Sequence, residues 1–165
     1  MRLADSGLLG ENDVLLDYGC GKGRVGFFLS HRVKVRTIGI EYDARIYHMA
    51  VRNQKSAVSG ADTTFVLTRA EEYAVPPAVN RCYFFNPFSP EILCKVLSRV
   101  IQSHYAHPRE ILLFFYYPSD AYISQLMTMG ELVYYGEIDC GDLYAKKDSR
   151  ERIVIFQLPD YGFGQ

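Results

Sequence analysis

Short apolar segments alternate along the chain with segments whose apolar residues recur at helical spacing. The apolar segments predict strands at residues 14–18, 34–41, 63–68, 81–86 and 110–117. Helices are predicted between and after them at residues 24–32, 44–59, 91–103 and 120–129. The second of these helices is expected to end before Gly60, and only a short helix fits residues 69–80, which Pro76 and Pro77 interrupt. Strands that alternate with helices indicate a parallel sheet that is covered on both faces.

The alternation stops towards the end of the chain. Residues 131–139 and 152–158 both have the pattern of strands, and no helix lies between them. The polar stretch 140–151 joins them, so we predict an antiparallel hairpin. The predicted fold class is therefore α/β, with a mostly parallel seven-stranded sheet, helices on both faces and a C-terminal antiparallel hairpin.

Composition excludes some classes of protein and of partner. The 165 residues suit one domain over 1–165, and 48% apolar with 22% charged residues exclude a largely disordered or collagen-like chain. The net charge of -1 disfavours unaided binding to long nucleic acid, although a local basic patch stays open. Residues 1–13 lack the apolar core of a signal peptide, and no apolar run is long enough to span a bilayer. We therefore expect a cytoplasmic protein without a membrane partner.

Neither the cysteines nor the histidines have the spacing of a metal site. The four cysteines lack CxxC pairing and are expected to be reduced and mostly buried, at Cys20, Cys82, Cys94 and Cys140. The histidines fall on predicted helices or loops away from the strand ends, at His31, His48, His104 and His107. No metal site is predicted.

A glycine-rich turn, DYGCGKG at residues 17–23, follows the first predicted strand. Glycines there let the backbone turn sharply and approach a ligand of the nucleotide type. Residues 21–26 also satisfy GxGxxG, with Glu41 about 20 residues further on, as in dinucleotide-binding folds. However, the carboxylate of Asp17 would repel a pyrophosphate and suits the cationic amino group and sulfonium of S-adenosylmethionine. Lys22 and Arg24 could both face a phosphate, so the dinucleotide alternative stays open.

The motif LDYGCGKGR resembles the first motif of class I S-adenosylmethionine-dependent methyltransferases, in which an acidic residue opens a GxGxG loop. The change from alternating strands and helices to a terminal hairpin also resembles that family. The resemblance implies a Rossmann-like fold, methyltransferase activity and S-adenosyl-L-methionine as the cofactor. It places the cofactor on the loop residues Asp17, Tyr18, Gly19, Cys20, Gly21, Gly23 and Arg24.

The same resemblance assigns residues beyond the second and third strands. Glu41 stands where the family has an acid that accepts both ribose hydroxyls, and Tyr42 next to it could pack against the adenine. Ala70 and Glu71 stand where the family contacts adenine, but Arg69 occupies a position at which an acid is commoner.

The segment Asn86, Pro87 and Phe88 ends the fourth predicted strand. It is similar to the (Asp/Asn)-Pro-Pro-(Tyr/Phe) motif of amino-group methyltransferases, although it has one proline where that motif has two. The resemblance implies that the Asn oxygen and the Pro carbonyl accept hydrogen bonds from a target nitrogen, with the aromatic ring stacked on a planar substrate. A simple turn is the alternative interpretation. Tyr116 and Tyr117 end the fifth strand on the same rim.

The acceptor and the lid are left open. Candidates for the acceptor are a protein amine, a small molecule or a nucleobase, and the near-neutral charge argues against the last. A lid could come from residues 140–151, from the tail 161–164, from a missing N-terminal segment or from a partner subunit. The alternative functions are an NAD-type oxidoreductase domain and a non-catalytic subunit that binds the methyl donor.

Overall fold

The computed structural model describes residues 2–57, 62–143 and 148–160. Within these ranges, seven strands form one sheet: β1 (Val14–Tyr18), β2 (Arg36–Glu41), β3 (Thr63–Leu67), β4 (Arg81–Phe84), β5 (Ile111–Tyr116), β6 (Val133–Asp139) and β7 (Arg152–Leu158). Four α-helices lie in the same part of the chain: α1 (Arg24–Val33), α2 (Ala44–Ser56), α3 (Pro90–Ala106) and α4 (Asp120–Thr128).

The strand order is β3-β2-β1-β4-β5-β7-β6. Strands β1 to β5 pair in parallel, whereas β7 pairs antiparallel with both β5 and β6. The predicted Rossmann-like sheet with its antiparallel end is therefore confirmed. In this order β7 lies between β5 and β6, so the hairpin's second strand, rather than its first, joins the parallel part.

Both faces of the sheet are covered, which explains the continuous apolar runs in the sequence. All five residues of β1 are buried. Neighbouring residues of a strand point to opposite faces, and Leu15 and Leu16 accordingly lie in two different core clusters. Leu29 of α1 lies in the same cluster as Leu15, and Leu97 of α3 lies in the same cluster as Leu16. The apolar stripes of the helices thus seal opposite sides of the sheet.

Several element ends differ from the sequence prediction. Helix α2 ends at Ser56, with Ala57 already extended, and the expected stop at Gly60 lies outside the described residues. Strand β2 begins at Arg36 because Lys34, at φ 61°, caps α1 in the left-handed conformation. Strand β4 ends at Phe84, whose partner Tyr18 is the last residue of β1, so Asn86 lies beyond the strand and not within it.

Among the described residues, no helix combines the length and the apolar character needed to cross a bilayer.

Candidate ligand-binding site

The site lies where the sheet order changes direction. From β1 the chain proceeds outward to β2 and β3, and it then returns to place β4 on the other side of β1. Such a crossover leaves a crevice at the carboxyl ends of the strands, where open α/β sheets bind their ligands. The turn after β1, the acid that ends β2 and the segment after β4 all meet at this edge.

The glycine turn contains three glycines with left-handed backbone angles. Gly19, Gly21 and Gly23 have φ values of 69°, 56° and 83°. A Cβ atom on Gly19 would lie 2.6 Å from the Cβ of Pro87, and one on Gly23 would lie 2.5 Å from the ring of Phe65. A Cβ on Gly21 would meet nothing within 4 Å. Two of the glycines are thus required by packing, whereas Gly21 faces open space at the crevice.

Asp17 is a buried acid without full hydrogen bonding. Its exposed fraction is 3%, and its Oδ2 atom has no hydrogen-bond partner among the described residues. Burial, and to a smaller extent the charge of Glu41, raise the pKa of Asp17 to about 7. A nearby cation favours the ionised form of a carboxyl group and would compensate for this burial. The side chain therefore has the properties of a receptor for a positively charged group.

Glu41 holds the glycine turn against the end of β2. Its Oε1 atom accepts hydrogen bonds from the backbone N–H groups of Tyr42 and Asp43, each at 2.9 Å, and Oε2 accepts from the N–H of Gly21 at 3.2 Å. A carboxylate oxygen can accept two hydrogen bonds, so Oε2 keeps one free acceptor direction. The carboxylate is therefore preoriented by the backbone, with limited capacity left for a ligand.

A first cavity of about 410 Å³ opens beside Glu41. It lies between the glycine turn, the end of β2, the single helical turn Ala70–Glu72 and the start of α3. Several residues assigned from the sequence line it, namely Gly19, Glu41, Tyr42, Ala70, Glu71, Pro87 and Phe88. Apolar side chains of Ile40, Ile46 and Ile92 complete the wall. The cavity offers a largely apolar slot with carboxylates at its edge, which suits a planar ring carrying hydroxyl groups.

A second cavity of about 420 Å³ lies on the other side of the glycine turn. The loop residues that line it are Asp17, Gly19, Cys20, Gly21, Lys22 and Arg24. Tyr83 and Phe85 of the β4 segment form the facing wall. Because Gly19 lines both cavities, one elongated ligand that lies over this glycine can extend into both.

Two residues of the glycine turn, Tyr18 and Cys20, have buried side chains. Tyr18 lines neither cavity, because it alternates with Asp17 and points to the opposite face, where its ring stacks on Phe84 at 4.8 Å. The thiol of Cys20 packs against the backbone of Gly39, and burial raises its pKa above the usual range. Tyr18 is therefore a core residue whose side chain cannot reach a ligand in either cavity.

The residues of the segment after β4 lie in different surroundings: Phe88 lines a cavity and Asn86 does not. Asn86 is exposed, has φ 42° and lines neither cavity. Its Nδ2 donates to the carbonyl of Tyr117, which itself has φ 52°. Among the described residues, the Oδ1 atom of Asn86 accepts no hydrogen bond, so it remains available as an acceptor. Phe88 faces the first cavity, and its backbone N–H and carbonyl both bond to the hydroxyl of Tyr122. The ring expected to stack on an acceptor thus lies in the cavity that contains Glu41.

Phe85 lines the second cavity, although no sequence motif assigns it a role. This side chain is 56% exposed, and its ring centroid lies 4.9 Å from that of Tyr116. The period of two along a strand, which puts residues 83 and 85 on one face, was the signal that could have identified it.

The expected lid at 140–151 is described in part. Tyr117 donates to Asp148 at 2.7 Å, and the guanidinium of Arg150 lies 4.6 Å from the centre of the Tyr117 ring. The hydrogen bond to Asp148 raises the pKa of Tyr117. Residues 144–147 and the tail 161–164 lie outside the described part of the chain. The segment that precedes β7 is thus joined to the rim beside Asn86.

Solved structures provide an independent comparison of the fold. The chain is similar to an RNA methyltransferase from Salinibacter ruber, solved with S-adenosyl-L-homocysteine, at 18% identity over 96% of this chain and 87% of that one, with a TM-score of 0.62. It is similar to a precorrin-6y C5,15-methyltransferase from Geobacter metallireducens GS-15, at 18% identity over 94% and 83% of the two chains, with a TM-score of 0.60. TrmK from M. capricolum, solved with S-adenosyl-homocysteine, has 9% identity over 97% and 66%, with a TM-score of 0.64.

No family model matches the chain, and no curated protein matches it. At identities this low, the likeness concerns the fold and leaves the acceptor open. The architecture that the sequence motif implied is nevertheless the one observed: the chain has the fold of the class I S-adenosylmethionine-dependent methyltransferases.

Proposed function

We propose that this chain, taken as one domain, is an enzyme that binds S-adenosyl-L-methionine across the glycine turn and methylates a nitrogen nucleophile. The observation that carries the proposal is the buried Asp17, which lines a cavity at the crossover edge and whose Oδ2 atom has no hydrogen-bond partner in the described part of the chain. A methyl donor with a cationic amino group and a sulfonium matches that unbalanced acid. Proteins of this fold that were solved with S-adenosyl-homocysteine support the same ligand class.

The residues of the two cavities suggest how the donor would be held. Asp17 and the open surface of Gly21 suit the amino-acid end, whereas Glu41 suits the ribose through its free Oε2 direction. The apolar first cavity near Ala70 and Glu71 suits the adenine, with Tyr42 at its rim. When bound, S-adenosyl-L-methionine would supply a methyl group on a positively charged sulfur: the acceptor nitrogen would form a bond to the methyl carbon, the carbon–sulfur bond would break to leave a neutral thioether, and the nitrogen would release its proton to solvent. The chain's own part is to orient the donor and to exclude water.

The free oxygen of Asn86 favours a nitrogen acceptor. Because Nδ2 is held by the carbonyl of Tyr117, the side chain offers only Oδ1, which accepts a hydrogen bond from an N–H group. Holding the nitrogen in this way reduces the entropic barrier and stabilises the positive charge that develops on it. The left-handed backbone of Asn86 and Tyr117 fixes this geometry at some conformational cost.

A matched pair of glycine variants tests donor binding. Gly7 and Gly21 both have positive φ, at 76° and 56°, and a Cβ on either meets nothing within 4 Å. Gly7→Ala and Gly21→Ala should therefore lose similar stability, about 1–2 kcal/mol each. Only Gly21→Ala places its methyl group in the ligand's path, so we expect at least about tenfold weaker binding of S-adenosyl-L-homocysteine in calorimetry.

Equal affinity in the two variants, or no binding to the unmodified protein, would refute the proposal. The dinucleotide alternative predicts thermal stabilisation by NAD instead. The antiparallel β7 argues against it, since the dinucleotide fold continues with parallel strands in the order 3-2-1-4-5-6. A donor-binding subunit without activity would bind S-adenosyl-L-homocysteine but would never transfer a labelled methyl group to any fraction of a cell extract.

A further inference from the structure

We infer that the methyl acceptor is a phosphorylated nucleoside with an unpaired base, bound over Phe85 at the second cavity. This inference rests on the proposed methyl transfer and adds the chemical class of the acceptor. It comes from three features. The ring of Phe85 and the cations Lys22 and Arg24 line the second cavity. The third feature is the Oδ1 atom of Asn86, which lines neither cavity but belongs to the residue directly after Phe85.

The aromatic platform is formed by Phe85 and Tyr116. More than half of the Phe85 side chain is exposed, and its ring lies 4.9 Å from that of Tyr116, at an interplanar angle of 47°. The hydroxyl of Tyr116 donates to Glu151 at 2.8 Å, which fixes that ring in turn. An isolated exposed Phe is ordinary, but this one lines a cavity and directly precedes Asn86. A fixed, exposed ring at such a place provides a stacking surface for a planar base.

The cations lie on the opposite wall of the same cavity. Lys22 and Arg24 are exposed, and neither forms an ion pair with any other described residue. Arg24 is the first residue of α1, whose first turn contains no acid. A cation at a helix N-terminus opposes the helix dipole, so this arrangement is unfavourable without an anion. Positive charge is therefore concentrated here although the net charge of the chain is -1.

These features discriminate between the candidate acceptors. A protein amine is cationic before methylation and would be repelled by Lys22 and Arg24, because Asp17, the acid that lines the same cavity, is already paired with the ammonium group of the donor. A neutral small amine would leave both cations without a partner. A phosphate suits the two cations, a base suits the ring of Phe85, and an exocyclic amino group suits Oδ1 of Asn86. Two cations are too few for tight binding to long nucleic acid, so we expect a short single-stranded contact or a free nucleotide.

The test uses the full chain saturated with S-adenosyl-L-homocysteine. Fluorescence anisotropy measures binding of a labelled ten-nucleotide single strand of mixed RNA sequence and of a hairpin in which the same bases are paired. Adenosine monophosphate and adenosine are added as competitors, because they distinguish a free nucleotide from an RNA segment as the source of the ligand. Two variants remove one feature each: Phe85→Leu removes the ring, and Lys22→Gln with Arg24→Gln removes the charges. Phe28→Leu and Lys95→Gln are controls at exposed positions outside the cavity.

We expect the single strand or adenosine monophosphate to bind, and the hairpin and adenosine to bind at least about tenfold more weakly. For the single strand, two phosphate contacts predict a slope of about -1.4 for the logarithm of affinity against that of salt concentration. The slope should approach zero in the doubly substituted variant. Phe85→Leu should weaken binding about tenfold, whereas the controls should stay within about twofold.

The two proposals fail in different ways. If S-adenosyl-L-homocysteine binds but neither the single strand nor adenosine monophosphate does, the acceptor assignment is overturned and the proposed function remains. Nucleotide binding that is unaffected by both Phe85→Leu and the charge variant also overturns the assignment, because the ligand then binds elsewhere. If S-adenosyl-L-homocysteine does not bind, the proposed function fails, and the assignment of an acceptor fails with it.

Discussion

The buried carboxyl group of Asp17 should make the chain less stable and, at the same time, able to bind a cation. Asp17→Asn removes the charge with almost no change of shape. The pKa of Asp17 is raised from 3.8 to about 7, chiefly by burial and secondly by Glu41. The folded chain therefore holds this proton more tightly than the unfolded chain does. Protonation of Asp17 therefore stabilises the folded chain below about pH 4, and this stabilisation is lost as the pH rises to about 7.

The size of the effect follows from the shift in pKa. A shift of one unit corresponds to 1.36 kcal/mol, so the ionised Asp17 costs about 4 kcal/mol at pH 8. Asp17→Asn should match the unmodified protein near pH 4 and exceed its free energy of unfolding by up to about 4 kcal/mol at pH 8. For a chain of this length, that difference corresponds to about 8–16 °C in Tm.

Thermal unfolding at pH 4, 6 and 8, with and without S-adenosyl-L-homocysteine, measures both consequences. The ligand should raise the Tm of the unmodified protein and have little effect on Asp17→Asn, because the ligand's ammonium group loses its partner. Asp62→Asn is the control, since its ion pair with Arg36 is exposed at both ends and contributes little. A variant that is less stable than the unmodified protein at pH 8, or that keeps the full response to the ligand, would refute the reasoning.

Three further predictions concern the same edge of the sheet. The affinity for S-adenosyl-L-homocysteine should fall about tenfold per pH unit below pH 7, as Asp17 becomes protonated, and calorimetry at pH 5.5 and 7.5 measures this. Glu41→Gln should weaken the binding of the same ligand by about 1–3 kcal/mol, because the amide has one oxygen, whereas the carboxylate has two with which to bond the backbone and the ligand. The hydrogen exchange of the Gly21 N–H group should also become faster. Tyr122→Phe should lower the free energy of unfolding by about 0.5–1.5 kcal/mol in urea, because the partly buried backbone of Phe88 loses its hydrogen-bond partner.

The sequence predicted those parts of the fold that depend on local patterns. Alternation of strands and helices gave the sheet and its antiparallel end, because burial on both faces makes the strands continuously apolar. The glycines after β1 predicted a sharp turn there, and Gly19, Gly21 and Gly23 do take left-handed angles. The interleaving of β7 between β5 and β6 was not predicted, since pairing partners of a hairpin with a long connection depend on packing rather than on spacing.

Long-range contacts account for what the sequence could not reveal at the site. Tyr18 belongs to the same motif as Asp17, but its neighbour on the far side of the sheet, Phe84, makes it a core residue. Glu41 was expected to serve a ligand, and its bonds to the backbone of Gly21, Tyr42 and Asp43 could not be read from its position in a motif. Net charge averages over the whole chain, so it could not show that the fold brings Lys22 and Arg24 to one cavity.

The contact between Gly19 and Pro87 connects the two halves of the site. A Cβ on Gly19 would come within 2.6 Å of Pro87, so the turn after β1 and the segment after β4 approach each other as closely as a glycine allows. Gly19 lines both cavities, and Asn86 directly precedes Pro87. A ligand that lies over Gly19 therefore lies beside the segment after β4, in which Oδ1 of Asn86 can accept a hydrogen bond. This proximity, rather than either motif alone, makes transfer between two bound molecules geometrically reasonable, and any side chain at residue 19 should abolish it.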